Sequence, residues 1–177
     1  MRLVFLCVIG STLATTVWAQ SRDELATIMT GWSQGAFEAI VSSRHNPATG
    51  TWDLFQDRER FRVEPLSPVR GRFFSDADEE APFEFFVELG DGTYTTYQLD
   101  ETGARTDVVE HRLLETNVFA PDHWTILVAW TRQDDDTPQT YAEMYMAGPI
   151  FVRTDFIDVP ETGARRRTQF SSFRRIN

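Results

Sequence analysis

The chain has 177 residues, of which 41% are hydrophobic and 25% charged, and its formal net charge is −10. That length suits one domain able to bury a core without disulfide or metal staples. A surface this acidic repels phosphate backbones, which argues against nucleic acid and anionic membranes as partners.

At the N-terminus Arg2 precedes an apolar run from Leu3 to about Ala14, followed by small residues up to Ala19. Val17 and Ala19 fit an A-x-A-like cleavage site, so the segment reads as a secretory signal peptide cleaved after Ala19. The run is shorter than the roughly 20 apolar residues of a membrane span, so no stable membrane anchor is expected. Cys7, the single cysteine, lies within that signal. A mature chain Gln20–Asn177 then has no disulfide, thiol nucleophile or sulfur metal ligand. Secretion without disulfides suits a bacterial periplasm better than an animal extracellular fluid.

Ser21 followed by Glu24 matches a capping box, and Leu25, Ile28 and Met29 share one helical face. This predicts a short helix that Gly31 ends. Strand-like segments follow at 35–44, 51–55 and 60–64, with Pro65 and Pro68 as interruptions, and then at 69–75. In 83–89, Phe83, Phe85, Val87 and Leu89 alternate with Glu84, Phe86 and Glu88, the period of two of a strand with one dry face. Glycines at 90 and 92 make a tight turn into 93–99. Further strands are expected at 106–115, at 123–133 with Trp124, Ile126, Val128 and Trp130 on one face, and at 140–146, 149–159 and 165–176.

Nine or ten strands with short connections and a single leading helix predict an all-β, antiparallel meander β-barrel, with a sandwich as rival. The pentapeptide ETGAR occurs at 101–105 and at 161–165, and its T-G core returns at Thr49-Gly50. The flanks of the two copies disagree, so no duplication is inferred. A type I turn followed by a left-handed glycine, a common three-residue hairpin loop, accounts for all three.

The sequence lacks G-x-S-x-G, H-E-x-x-H and P-loop signatures. His45, His111 and His123 each stand alone, and Glu110 and His111, adjacent on a strand, must face opposite ways. The acidic stretches 76–80 and 134–136 lack the spacing of a calcium loop. No catalytic residue, metal site or cofactor is therefore assigned, and enzymatic activity stays an open alternative. A barrel of this size can hold one small ligand if its inner side chains do not fill it. The candidate lining residues are Trp32, Arg72, Phe85, Tyr94, Trp130, Tyr145 and Arg153, and the expected partner is a small hydrophobic or amphipathic molecule.

The layout resembles lipocalin-type (calycin) proteins through the export signal, the short helix, the Gly/Trp entry TGWSQGAF, the run of hairpins and the arginines of SSFRRI. Lipocalins carry G-x-W at that entry, whereas here Gly31 and Trp32 are adjacent. The resemblance implies a barrel that carries a ligand. A fainter similarity is to the lipocalin-like T-type bilin lyases, through an L-x-x-x-x-x-G-x-F-like opening. Their cysteines are not found, so lyase activity is not carried over. An envelope interaction module with a filled core is the third alternative.

Overall fold

The structure, a computed structural model, describes residues 22–55, 60–75, 83–130 and 139–176. The expected signal segment with its cleavage point, Ser21 and the acidic stretches 76–80 and 134–136 lie outside these residues.

Helix α1 (22–32) leads into eleven strands. These are β1 (Ala36–Asn46), β2 (Thr51–Phe55), β3 (Arg60–Ser67), β4 (Arg70–Ser75), β5 (Glu84–Leu89) and β6 (Thr93–Leu99). They continue as β7 (Arg105–Ala120), β8 (His123–Trp130), β9 (Thr140–Ala147), β10 (Ile150–Val159) and β11 (Ala164–Ile176). Each strand from β3 to β10 pairs antiparallel with the next, and β11 pairs back onto β1, which closes a ten-stranded barrel. β1 divides its other edge. Its lower residues Ala36–Glu38 pair with β3, and its upper residues Ser42–Asn46 pair with β2, which lies in line with β3 along the same edge.

Two expectations about strand ends are corrected. Pro65 does not end β3, which runs to Ser67 with a register shift between Pro65 and Ser67. A bulge is where a strand tolerates a residue without an N–H donor. β7 extends to Ala120 through two register shifts on its β8 side, so it outlasts its regular alternation.

The alternating strand directions give the barrel two unlike ends. The turns 67–70, 89–93, 120–123 and 147–150 gather with α1 at one end, which we call the floor. The turns 46–51, 99–105 and 159–164 gather at the other, the mouth. All three T-G sequences therefore sit on the mouth, with Gly50, Gly103 and Gly163 at positive φ of 70°, 82° and 66°. The shared recipe is only partly one recipe. Asp100 and Ala104 close a three-residue loop, with Gly103 N donating to Asp100 O at 2.9 Å. The other two loops have four residues, with Gly50 N bonding Asn46 O and Gly163 N bonding Val159 O, both at 2.9 Å. The difference lies before the motif. Asp100 Oδ1 accepts from the N–H groups of Thr102 and Ala104, whereas Pro47 and Pro160 open the longer loops. No heavy atom lies within 4 Å of a Cβ built on Gly163. Gly163→Ala should therefore cost only the left-handed backbone penalty, about 1 kcal/mol, read as a small drop in denaturation midpoint.

α1 plugs the floor. Leu25, Ile28, Met29 and Trp32 are buried and belong to the main core cluster. The helix ends at Trp32, one residue past the stop expected at Gly31. Gly31 also permits close approach: a Cβ there would lie 1.8 Å from the carbonyl oxygen of Pro121. Arg175 on β11 donates to the Gly31 carbonyl at 3.1 Å and lies over the Phe37 ring, tying the last helical turn to the wall.

Candidate functional site

Period-two alternation decides which side chains face inward. The inner row of β5 is Phe85, Val87 and Leu89, continued by Phe83 just before it, and on β8 it is Trp124, Ile126, Val128 and Trp130. Both rows agree with the sequence pattern. On β10 the inner row includes Phe151, Arg153 and Asp155. Together they enclose a cavity of about 850 Å³ reaching from the floor toward the mouth. Its lower part is apolar, lined by Leu25, Ile28, Trp32, Trp124, Phe151 and Phe173. Its upper part is polar, with Ser42, Arg44, Gln98, Asp107 and Gln169. Asp107 is the one non-glycine among the described residues with positive φ, 48°, and it sits where the β6–β7 register shifts.

Between the two parts lies a compact group of polar and aromatic residues. Arg153 Nε donates to Asp155 Oδ1 at 2.8 Å, and the guanidinium lies over the Trp130 ring at 5.6 Å. His111 is sandwiched between Tyr94, stacked at 4.4 Å, and Trp130 at 5.0 Å. Its Nε2 is 3.0 Å from Thr96 Oγ1, while its Nδ1 is buried without a protein partner.

This enclosure sets the charge states. Burial pushes the Tyr94 phenol up to about 12, with Arg153 opposing. Burial, aided by the Arg153 charge, pushes His111 down to about 3. For Arg153 burial works against the charge, but the Asp155 carboxylate, Tyr94 and the hydrogen bond to Asp155 outweigh it and raise the pKa. Arg153 is walled in by protein, yet its side chain keeps 35% exposure. That surface faces the cavity.

His111 also makes stability depend on pH. The unfolded chain takes up this proton near the ordinary value of 6.5, and the folded chain only near 3. Its contribution is therefore intact above about 6.5 and is lost as pH falls toward 3. His111→Phe keeps an aromatic ring in the stack and removes the proton site. Between pH 7 and about pH 4 the melting temperature should fall by several degrees less in His111→Phe than in the parent. Equal falls would mean that the folded state protonates His111 without penalty.

Of the candidate lining residues, Trp32, Phe85, Tyr94, Trp130 and Arg153 line the cavity. Arg72 and Tyr145 do not. On β4 the inner positions are Gly71, Phe73 and Ser75, so Arg72 points outward, where it pairs with Glu84 at 2.5 Å and Glu64 at 3.4 Å. On β9 the inner row is Ala142, Met144 and Met146, which leaves Tyr145 39% exposed on the outer wall. Glu143, one strand period away, already marks that face as wet. His111, Asp155 and Thr96 were not singled out. A signal for Asp155 was present, since it stands two residues from Arg153 and must share its face.

Among the described residues no helix is long and apolar enough to cross a membrane, and no cluster of His, Cys, Asp or Glu is placed to hold a metal ion. Searches with family models, among curated proteins and among solved structures found no match. The likeness to lipocalin-type proteins thus rests on layout alone: an antiparallel barrel with a short helix before its first strand.

Proposed function

We propose that this barrel is a secreted or periplasmic binding protein that holds a small apolar or amphipathic molecule in its interior. The observation that carries the reading is the division of one cavity of about 850 Å³ into an aromatic lower chamber and a polar upper one. Cavities of a few hundred to about 1,000 Å³ with few placed polar groups are those that hold single small ligands. A filled core, which an interaction module without a ligand requires, is at odds with this volume. Native mass spectrometry of protein purified from its own host is the direct test, with a retained small molecule as the expected result. Full-length purified protein that arrives empty and binds no apolar probe in its interior would defeat the reading.

The convergence of Tyr94, His111, Arg153 and Asp155 in one cleft favours a second reading, an enzyme. Their protonation argues for the first. A general acid or base works best with a pKa near the working pH. Here His111 is held near 3 and Tyr94 near 12, so both stay neutral and neither exchanges a proton readily at pH 7. Neutral hydrogen-bonding groups beside a fixed ion pair suit recognition better than proton transfer.

A further inference from the structure

We infer that the ligand of this cavity is a net-neutral amphiphile whose polar head both donates and accepts hydrogen bonds, and that fatty anions and alkylammonium cations are selected against. The inference rests on the binding-protein reading and adds the chemical class of the ligand to it.

Charge balance inside the barrel is the first support. Among the described residues the cavity is lined by two cations, Arg44 and Arg153, and two carboxylates, Asp107 and Asp155. The described part of the lining therefore has no net charge with which to compensate an ionic head. A buried charge without its own partner is costly, and Arg153 is already neutralised by Asp155, so an incoming carboxylate would bring an uncompensated negative charge beside Asp155. An incoming ammonium would likewise bring an uncompensated positive charge beside Arg153. The chain's overall charge of −10 adds a field that disfavours anions on approach.

The geometry of the pair is the second support. A single contact joins the two side chains, from Arg153 Nε to Asp155 Oδ1. The guanidinium is held at its Nε edge and braced by Trp130, so its Nη groups remain as donors toward the cavity. The second Asp155 oxygen remains as an acceptor. One fixed ion pair thus presents donors and an acceptor side by side, the complement of a glycerol or amide head. Neutral Tyr94 and His111 beside it add no charge. Below the pair the walls are aromatic and aliphatic, which places the apolar tail toward the floor.

The test uses the full chain and three ligands of equal tail length: monododecanoylglycerol, dodecanoate and dodecylamine. Binding is read by tryptophan fluorescence at neutral pH and checked by calorimetry. The glycerol ester should bind about tenfold or more tightly than either ion, a difference of about 1.4 kcal/mol. Asp155→Asn should reverse the order between ester and anion, because it leaves Arg153 without its counter-charge. Equal binding of all three ligands, or tightest binding of either ion, would overturn the head-group assignment and leave the binding-protein reading standing. Binding of none would overturn both. The three-ligand comparison in the parent protein decides the matter even if Asp155→Asn fails to fold.

Discussion

Trp32→Ala should destabilise the protein by about 3–5 kcal/mol, the usual loss when a buried aromatic is truncated to alanine. For a domain of this size that corresponds to a fall in melting temperature of roughly 10 °C. The indole touches five rings at the floor: Phe151 at 4.2 Å, Phe37 at 5.0 Å, Phe61 and Phe73 at 5.5 Å and Trp124 at 6.1 Å. These rings come from five different strands, so no single rearrangement can close the void. The void would also join the ligand cavity, and water entering there would wet the apolar chamber. Urea denaturation with an unchanged slope and a lowered midpoint is the expected record. A loss below about 1 kcal/mol would mean that the helix is not seated in the barrel.

Gly31→Ala tests the same docking with the opposite error, too much volume instead of too little. Inside a helix alanine outranks glycine by about 1 kcal/mol, so propensity alone makes this a stabilising change. Packing reverses the sign. The added Cβ would stand 1.8 Å from the Pro121 carbonyl oxygen and 2.6 Å from its carbon. Both are backbone atoms in the short β7–β8 turn, and the oxygen also accepts from Trp124 Nε1 at 3.2 Å. Relief requires lifting the helix or breaking that bond, and overpacking of this kind costs about 1–3 kcal/mol. We expect a net loss of about 2 kcal/mol by chemical denaturation. A gain of about 1 kcal/mol would show that only propensity operates and that the helix lies away from the turn. Because both substitutions disturb one docked helix, their effects in the double variant should sum to more than the measured loss.

Much of the fold was legible because its signals are local. The alternation in 83–89, the shared face of Trp124 to Trp130 and the glycine-containing turns each act over a few residues. What was not legible depends on contacts between distant segments. Nothing near Gly31 in the sequence announces Pro121, so its glycine read only as a helix stop and not also as a contact point. Nothing near β1 announces that one strand edge serves two partners. The candidate site divides along the same line. Arg153, Tyr94 and Trp130 fell on inward rows, whereas Arg72 and Tyr145 were chosen for side-chain type over strand phase. Gly71 and Glu143 carried the phase information. His111 was missed because an isolated histidine has no meaning until Tyr94 and Trp130 close around it.

The ring is sealed by pairing β1 with β11, with Ala36 opposite Ile176 and Arg44 opposite Gln169. That seam joins the first strand of the barrel to the last. During synthesis the seam cannot form until β11 has left the ribosome, and contacts between such distant segments are slow to form. Until then β1 and β10 each present an unsealed edge, and Phe173 on β11 has not yet reached Phe61 and Phe151. A truncation that removes β11 therefore leaves a sheet with two open edges and an uncovered aromatic face, the form most prone to pair with other copies of itself.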